Sequence, residues 1–239
     1  MADAFLRLCP DQWQSIGSIG TLLAVAAALS IAIFQDRLRL WFHRPKLEVT
    51  FKMKPPYGHK TLLVRKNVAV PCYYFRIKIK NIGKRRAKSV EVLAAELLKK
   101  DQNGSYSPYS RFLPMHLLWS HDRKLSHSIS PNLFRYCDLG HIVDPEHRQK
   151  LPGEDFIISF EEIFIGHNLK KETIFCFDTE VRPFTSSHLI PFGEYRLVLL
   201  IGEEQTKTIR KEIDISFTGV WHVNEEEMLK KGVGIQIHK

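Results

Sequence analysis

The chain has 239 residues, 44% of them hydrophobic, and carries a net charge of +9 at pH 7. That apolar content excludes a disordered chain and suffices for one domain of ordinary size plus an appendage. Cys9, Cys72, Cys137 and Cys176 lie far apart in the sequence, which excludes a small disulfide scaffold and fits a reducing compartment.

The appendage comes first. After a short tail (1–15), residues 16–34 read IGSIGTLLAVAAALSIAIF without a single charge. As a helix at about 1.5 Å per residue this run reaches about 28 Å, close to the hydrocarbon thickness of about 30 Å, so one transmembrane helix is predicted. Ten of these nineteen residues are Gly, Ala, Ser or Thr, which drives insertion less strongly than leucine does. A buried soluble helix and a cleaved signal are the competing readings. A signal wants a positive n-region, yet residues 1–15 hold Arg7 against Asp3 and Asp11. Gly20, Ala24, Ala28 and Ala32 recur every four residues and form a small-residue stripe through which two spans can pack, so self-association is one expectation. The alternative is that an alanine-rich span scatters small residues by chance.

The basic linker that follows (35–45) contains Arg37, Arg39 and Arg44, with Lys46 just beyond it. Lys and Arg stay on the cytoplasmic side, so the N-terminus is predicted outside and the rest of the chain in the cytoplasm, at a cell inner membrane. Trp13 on one flank and Trp41 and Phe42 on the other suit the interfacial aromatic belts.

From residue 46 the period changes. Leu47, Val49 and Phe51 alternate with Glu48, Thr50 and Lys52, the pattern of a half-buried strand. Residues 73–92, YYFRIKIKNIGKRRAKSVEV, carry seven basic side chains and one acidic one. Phe75, Ile77 and Ile79 are expected on the core side, with Arg76, Lys78 and Lys80 on the other. Asn81 to Gly83 is turn chemistry, with Gly83 available for a positive φ, and Lys84, Arg85 and Arg86 follow at the turn. Residues 91–100, EVLAAELLKK, score as helix on propensity. They sit between that turn and Asn103-Gly104, a hairpin dipeptide, so a strand with a bulge near Leu93 is predicted. Residues 105–131 read as a long loop with a short strand or turn of helix. Further strands are expected at 135–142, 156–165, 173–179, 195–201 and 207–217, and a short helix capped by Asn224 in the tail 222–239. Many short strands and almost no long amphipathic helix indicate a sandwich of two antiparallel sheets over 46–221.

The pattern YFRIKIKNIGKRRAKSVEV, followed downstream by PFGEYRLVLLI and IRKEIDISFTGVW, resembles the immunoglobulin-like, CARDB-like adhesion modules of bacteria. It is also similar to uncharacterised prokaryotic proteins with one N-terminal span and such a domain. The resemblance covers residues 46–98 and 190–221 and implies a mainly β fold, an antiparallel immunoglobulin-like β-sandwich, without implying an activity.

Residues 36–88 hold sixteen Lys and Arg against Asp36 and Glu48, so the basicity is concentrated next to the predicted span. Anionic headgroups are the expected counterpart, each close charge contributing about 1 kcal/mol. The bland alternative is a solvated strand face. Nucleic acid ranks below both, because Tyr73 and Tyr74 flank the cations but no reader motif accompanies them. The sequence contains no G-x-S-x-G, P-loop, H-E-x-x-H, C-x-x-C or dinucleotide glycine pattern, so neither an enzyme nor a cofactor is expected. The alternative is a metal-dependent enzyme using the central cluster of His121, Asp122, His127, Cys137, His141 and His147, residue types that ligate zinc. Cys137 and His141, four apart on a predicted strand, would share a face yet stand too far apart for one ion without a turn at Gly140. Glu161 and Glu162 would point to opposite faces of a strand, and Asn103-Gly104-Ser105, though it matches a glycosylation acceptor, reads as a turn. Tyr106, Tyr109, Phe112, Trp119 and Tyr136 are expected mainly in the core, with a surface for an unknown protein partner as the alternative. The reading as a whole is a tethered binding or scaffolding module.

Overall fold

A computed structural model describes residues 10–42, 44–152, 164–204 and 206–238. The chain divides into two compact units, Met1–Arg44 and Pro45–Lys239. The first contains one continuous helix, α1 (Pro10–Phe42), whose stretch Trp13–Gln35 is long and apolar enough to cross a membrane. Leu22 and Leu29 remain 72% and 58% exposed, unlike the apolar side chains of a helix in a soluble core. Ser18, Thr21 and Ser30 donate their hydroxyls to the carbonyls of Gln14, Gly17 and Ala26, which satisfies groups that would be costly in lipid. Gly20, Ala24, Ala28 and Ala32 all lie on exposed helix surface.

The second unit is built from two antiparallel sheets. One joins β1 (Leu47–Thr50), β2 (Gly58–Arg65), β3 (Val68–Asn81), β8 (Phe134–Val143), β9 (Phe175–Phe177) and β10 (Leu189–Ile190), in the order β1-β3-β8-β9-β10 with β2 also on β3. The other joins β4 (Ala87–Lys100), β11 (Gly193–Gly202), β12 (Ile209–Phe217) and β13 (Val233–Ile237), in the order β13-β12-β11-β4. Its strands β5 (Tyr106–Pro108), β6 (Met115–His116) and β7 (Ser126–Ile129) all pair with β4. Setting β1-β3-β8 against β4-β11-β12 gives the A-B-E and C-F-G arrangement of an immunoglobulin sandwich. At the start of β11, Tyr195 donates its hydroxyl to the Pro191 carbonyl at 3.0 Å, the corner bond that marks strand F in that fold.

The alternation read from residues 73–81 sets the core. Phe75, Ile77 and Ile79 are fully buried in one cluster with Val90 and Val92 of β4 and Leu197 and Leu199 of β11. Residues 91–100 are strand, as context required against propensity. Along β11 the register steps from Val198 opposite Glu96 to Leu199 opposite Ala94, so the bulge falls at Ala95, two residues past its expected place. The Asn103-Gly104 turn leads into β5: Gly104 has φ +85°, and the Asp101 carboxylate accepts from the amides of Asn103 and Ser105.

Several expectations need adjustment. Gly83 does not supply a positive φ; among the described residues the positive-φ glycines are 104, 166, 193 and 219. Residues 105–131 are more ordered than a loop, because three short strands cover the edge of β4 and buried Trp119 donates its indole N–H to the Val90 carbonyl at 3.1 Å. The strand expected at 156–165 and the pair Glu161 and Glu162 fall largely or wholly within 153–163, outside the described residues. Asn224 does cap a helix, α3 (Glu225–Glu227), by accepting from the Glu227 amide. The chain then passes through a π-helical turn (Met228–Gly232) into β13, so the sandwich continues past Trp221.

Candidate functional site

The basic surface is organised by one amide. Asn81 is fully buried, and its side chain is saturated. Its Oδ1 accepts from Gly83 N–H at 2.9 Å and Lys46 N–H at 3.3 Å; its Nδ2 donates to the carbonyls of Arg85 at 2.7 Å and Ile129 at 2.9 Å. The backbone of the same residue donates to Leu133 and accepts from Asn132, while Ile82 N–H donates to Lys46. Two turns, 82–86 and 130–134, are thereby fastened to each other and to Lys46, where the second unit begins. Turn residues of the Asn type bond neighbouring backbone readily; here the reach extends across three separate segments.

This arrangement brings together most of the basic residues singled out from the sequence. Lys84 and Arg86 are exposed at the turn, and Arg85, Lys78 and Lys80 are half-exposed. Lys80 faces Glu48 on one side and Phe134 on the other, and Lys78 lies between Thr50 and Tyr136. The Lys78 ammonium sits 3.9 Å from the Phe134 ring centroid, a cation–π contact. Arg76 is set apart from this group: its guanidinium lies 5.6 and 5.9 Å from the rings of Tyr74 and Tyr136, and its Nε is shielded from solvent. A pocket of about 340 Å³ opens nearby, with Arg86, Arg135, Ser128, Ser130 and Phe134 among its lining.

The histidine-rich segment is dispersed. β8 carries a bulge between its pairings with Phe75 and Arg76, which inserts Leu139 and reverses the alternation. Cys137 therefore points into the core cluster, whereas His141 points out of the other face of the sheet. The shared face expected from their spacing does not form, because the extra residue shifts the period by one. Cys137 is fully buried, and burial first, then the charges of Asp138 and Asp178, push its thiol pKa well up, so it is a poor ligand and nucleophile. His121 is exposed at φ +77°, His127 pairs with Asp122 at 2.5 Å, and His147 pairs with Asp144 at 2.9 Å beside the short helix α2 (Pro145–Arg148). Among the described residues no three His, Cys, Asp or Glu side chains gather where they could hold a metal ion.

His141 belongs instead to a buried polar network that spacing does not reveal. Its Nδ1 lies 3.0 Å from Asp178 Oδ2, both residues being almost wholly buried, and Cys176 also hydrogen-bonds its ring. Burial works against a charge on His141, but Asp178 and Cys176 outweigh it and the pKa rises well above the ordinary value. Burial likewise opposes the charge on Asp178, which His141, Tyr74 and Arg123 nonetheless hold below the usual range. Alongside, Ser120 donates to Asp138, whose pKa is raised chiefly by burial. A thiol, an imidazole and a carboxylate in sequence have the order of a nucleophilic relay, but Cys176 and Asp178 are each 3% exposed and His141 not at all. The array is closed to substrate and serves as a polar strut across β8 and β9.

The aromatic residues divide in the same way. Trp119 is core, and Tyr109 and Phe112 pack at the margin of that core, edge-on to Tyr195 and Phe177. Exposed Leu133, Phe134 and Arg135, which sequence reading passed over inside a strand boundary, are the functional candidates it missed. Compared with protein-family models the chain matches none, and no curated protein matches it, so the strand arrangement and the Tyr195 corner support an immunoglobulin-like sandwich without assigning a family.

Proposed function

We propose that this chain is a membrane-tethered binding module: α1 crosses an inner membrane once with its N-terminus outside, and the β-sandwich lies in the cytoplasm with its cationic end toward anionic headgroups. One observation carries this reading. The turn bearing Lys84, Arg85 and Arg86 is hydrogen-bonded, through Asn81 and Ile82, to Lys46, and only residues 43–46 separate the end of α1 from β1 in sequence. Cations held close to a membrane attract anionic lipid at about 1 kcal/mol each and lose that attraction within a Debye length, about 10 Å at 0.1 M salt.

All three core clusters lie within Pro45–Lys239, so this fragment is the material for the test. It should sediment with vesicles containing phosphatidylserine, be released by salt, and ignore pure phosphatidylcholine. Substituting Lys84, Arg85 and Arg86 by Ser should abolish most of the binding. A fragment that ignores anionic vesicles at low salt but retains DNA or RNA would transfer the cationic surface to nucleic acid. Topology has its own test: a reporter fused after Lys239 should be active only if it works in the cytoplasm.

A further inference from the structure

The cationic end also carries exposed apolar side chains. Ile82, Leu133 and Phe134 are 40%, 60% and 46% exposed, and they project from the two turns that Asn81 fastens together. Single exposed apolar residues are ordinary on a protein surface, but these three share one hydrogen-bonded junction: Asn81 N–H donates to Leu133, Asn132 N–H donates to Asn81, and Ile82 follows Asn81 directly. Next to them in chain or pairing are Lys46, Lys80, Lys84, Arg85, Arg86 and Arg135, with Arg86 and Arg135 lining one pocket together with Leu133 and Phe134, and none of these six forms an ion pair with another described residue. Leu62 and Val64, also exposed, lie along β2, where the Lys60 ammonium is already engaged by the Val223 carbonyl. Phe184 and Ile165 are more exposed still, each in a connection outside the two sheets.

Apolar side chains next to cations that lack ion-pair partners fit one kind of surface, an interface where anionic groups lie above hydrocarbon. Lysine and arginine keep their charges at headgroup level, while an apolar group gains by passing below it. Water alone rewards only the cations, and nucleic acid, whose bases can stack on a ring such as Phe134, offers no continuous hydrocarbon layer to take up Ile82 and Leu133 as well.

We infer that the tip formed by Ile82, Leu133 and Phe134 inserts below the headgroups of an anionic membrane while the surrounding cations hold the phosphates. This inference rests on the lipid-facing reading above and adds a depth to it: contact is partly hydrophobic and therefore partly resistant to salt.

The experiment uses the full chain reconstituted in vesicles of phosphatidylcholine, with or without phosphatidylserine. A single environment-sensitive dye is placed at Leu133→Cys, Lys84→Cys or Asn103→Cys in a Cys9→Ser background; the other native cysteines are buried. Asn103 lies in the turn at the far end of β4 from the tip and is the control. In anionic vesicles the dye at Leu133 should shift to the blue, be quenched by lipid-borne spin labels, and lose severalfold accessibility to an aqueous quencher, with part of the protection surviving high salt. The dye at Asn103 should not respond. If Leu133 stays open to the aqueous quencher while Lys84 shows a salt-reversible approach to the surface, insertion is overturned and the electrostatic reading stands. If neither position responds to anionic lipid, both readings fall. Reconstituted Leu133→Ser/Phe134→Ser protein, dyed at Lys84→Cys, supplies the independent check: its approach should become wholly salt-reversible, and an unchanged salt-resistant fraction would overturn the insertion.

Discussion

The two sheets treat charge on their outer faces differently. On the β13-β12-β11-β4 sheet several charges are matched internally: Lys100 with Glu194 at 2.7 Å, Arg196 with Asp214 at 2.9 Å, Arg210 with Glu212 at 2.9 Å, and His238 with Asp214 at 2.5 Å. On the β1-β3-β8 sheet Lys78 and Lys80, with the turn beyond them, have no such partners among the described residues. Matched surface charges contribute little to stability and exert little field at a distance. Unmatched like charges repel one another, so a face that keeps them is suited to an external anion. The difference is one of pairing: one face neutralises several of its charges within itself, and the other leaves cations exposed.

The most damaging way to test the β3-β8 face is to unbalance its buried end. Asp178→Ala strands a charged His141 in the interior and should cost about 3–5 kcal/mol in urea unfolding, because breaking a buried pair leaves an uncompensated charge. The pH dependence has a defined sign. Asp178 has a lowered pKa in the folded state, so its contribution is present above the unfolded value of about 3.9 and is lost as pH falls through the folded value. His141 has a raised one, so its contribution is full below about 6.5 and is lost only as pH rises through the higher folded value. The pair is therefore at full strength between those limits. Asp178→Asn leaves burial to oppose the charge on His141, so the variant should begin to lose stability on acidification already near the unfolded histidine value of about 6.5.

Next in size is the mount of the cationic turns. Asn81→Leu removes four hydrogen bonds and leaves buried backbone groups unsatisfied, which should cost about 2–3 kcal/mol. It should also loosen both turns together, visible as a joint loss of amide-exchange protection at Gly83 and Leu133. On the matched sheet the effect should be smaller: Arg196→Ala, half-exposed as it is, should cost about 0.5–1 kcal/mol and less in high salt. The smallest change belongs to the unmatched face. Lys84→Ser with Arg85→Ser and Arg86→Ser should leave the thermal midpoint unchanged, or raise it slightly at low salt. A clear loss of stability there would mean that those cations do have internal partners, and the contrast between the sheets would fail.

How much of this was legible in the sequence follows from which interactions are periodic. The alternation of Phe75, Ile77 and Ile79 with Arg76, Lys78 and Lys80 reports burial directly, because strand side chains alternate in space. Residues 91–100 were readable only because a turn on either side overruled helix propensity. The bulge at Leu139 was not readable: one inserted residue leaves no signature in composition, yet it sends Cys137 and His141 to opposite faces. Gly140 beside it is a consequence of the same geometry, since a Cβ there would lie 2.4 Å from the Cys176 carbonyl oxygen. The junction at Asn81 was half legible. Asn-x-Gly announced a turn, but nothing in the spacing of Asn81, Ile129 and Leu133 announced that two distant turns would share one amide, since such contacts arise only when the sheet has closed.

That shared amide also bears on recognition. A loop that must be ordered by its target gives up conformational entropy at the moment of contact, and affinity falls by that amount. Here the ordering is completed during folding, because Asn81 is saturated before any partner arrives. If the proposed lipid contact is made, the two turns need no ordering for it, so the attraction their side chains generate is not reduced by that entropy, and contact can form and break without refolding either turn.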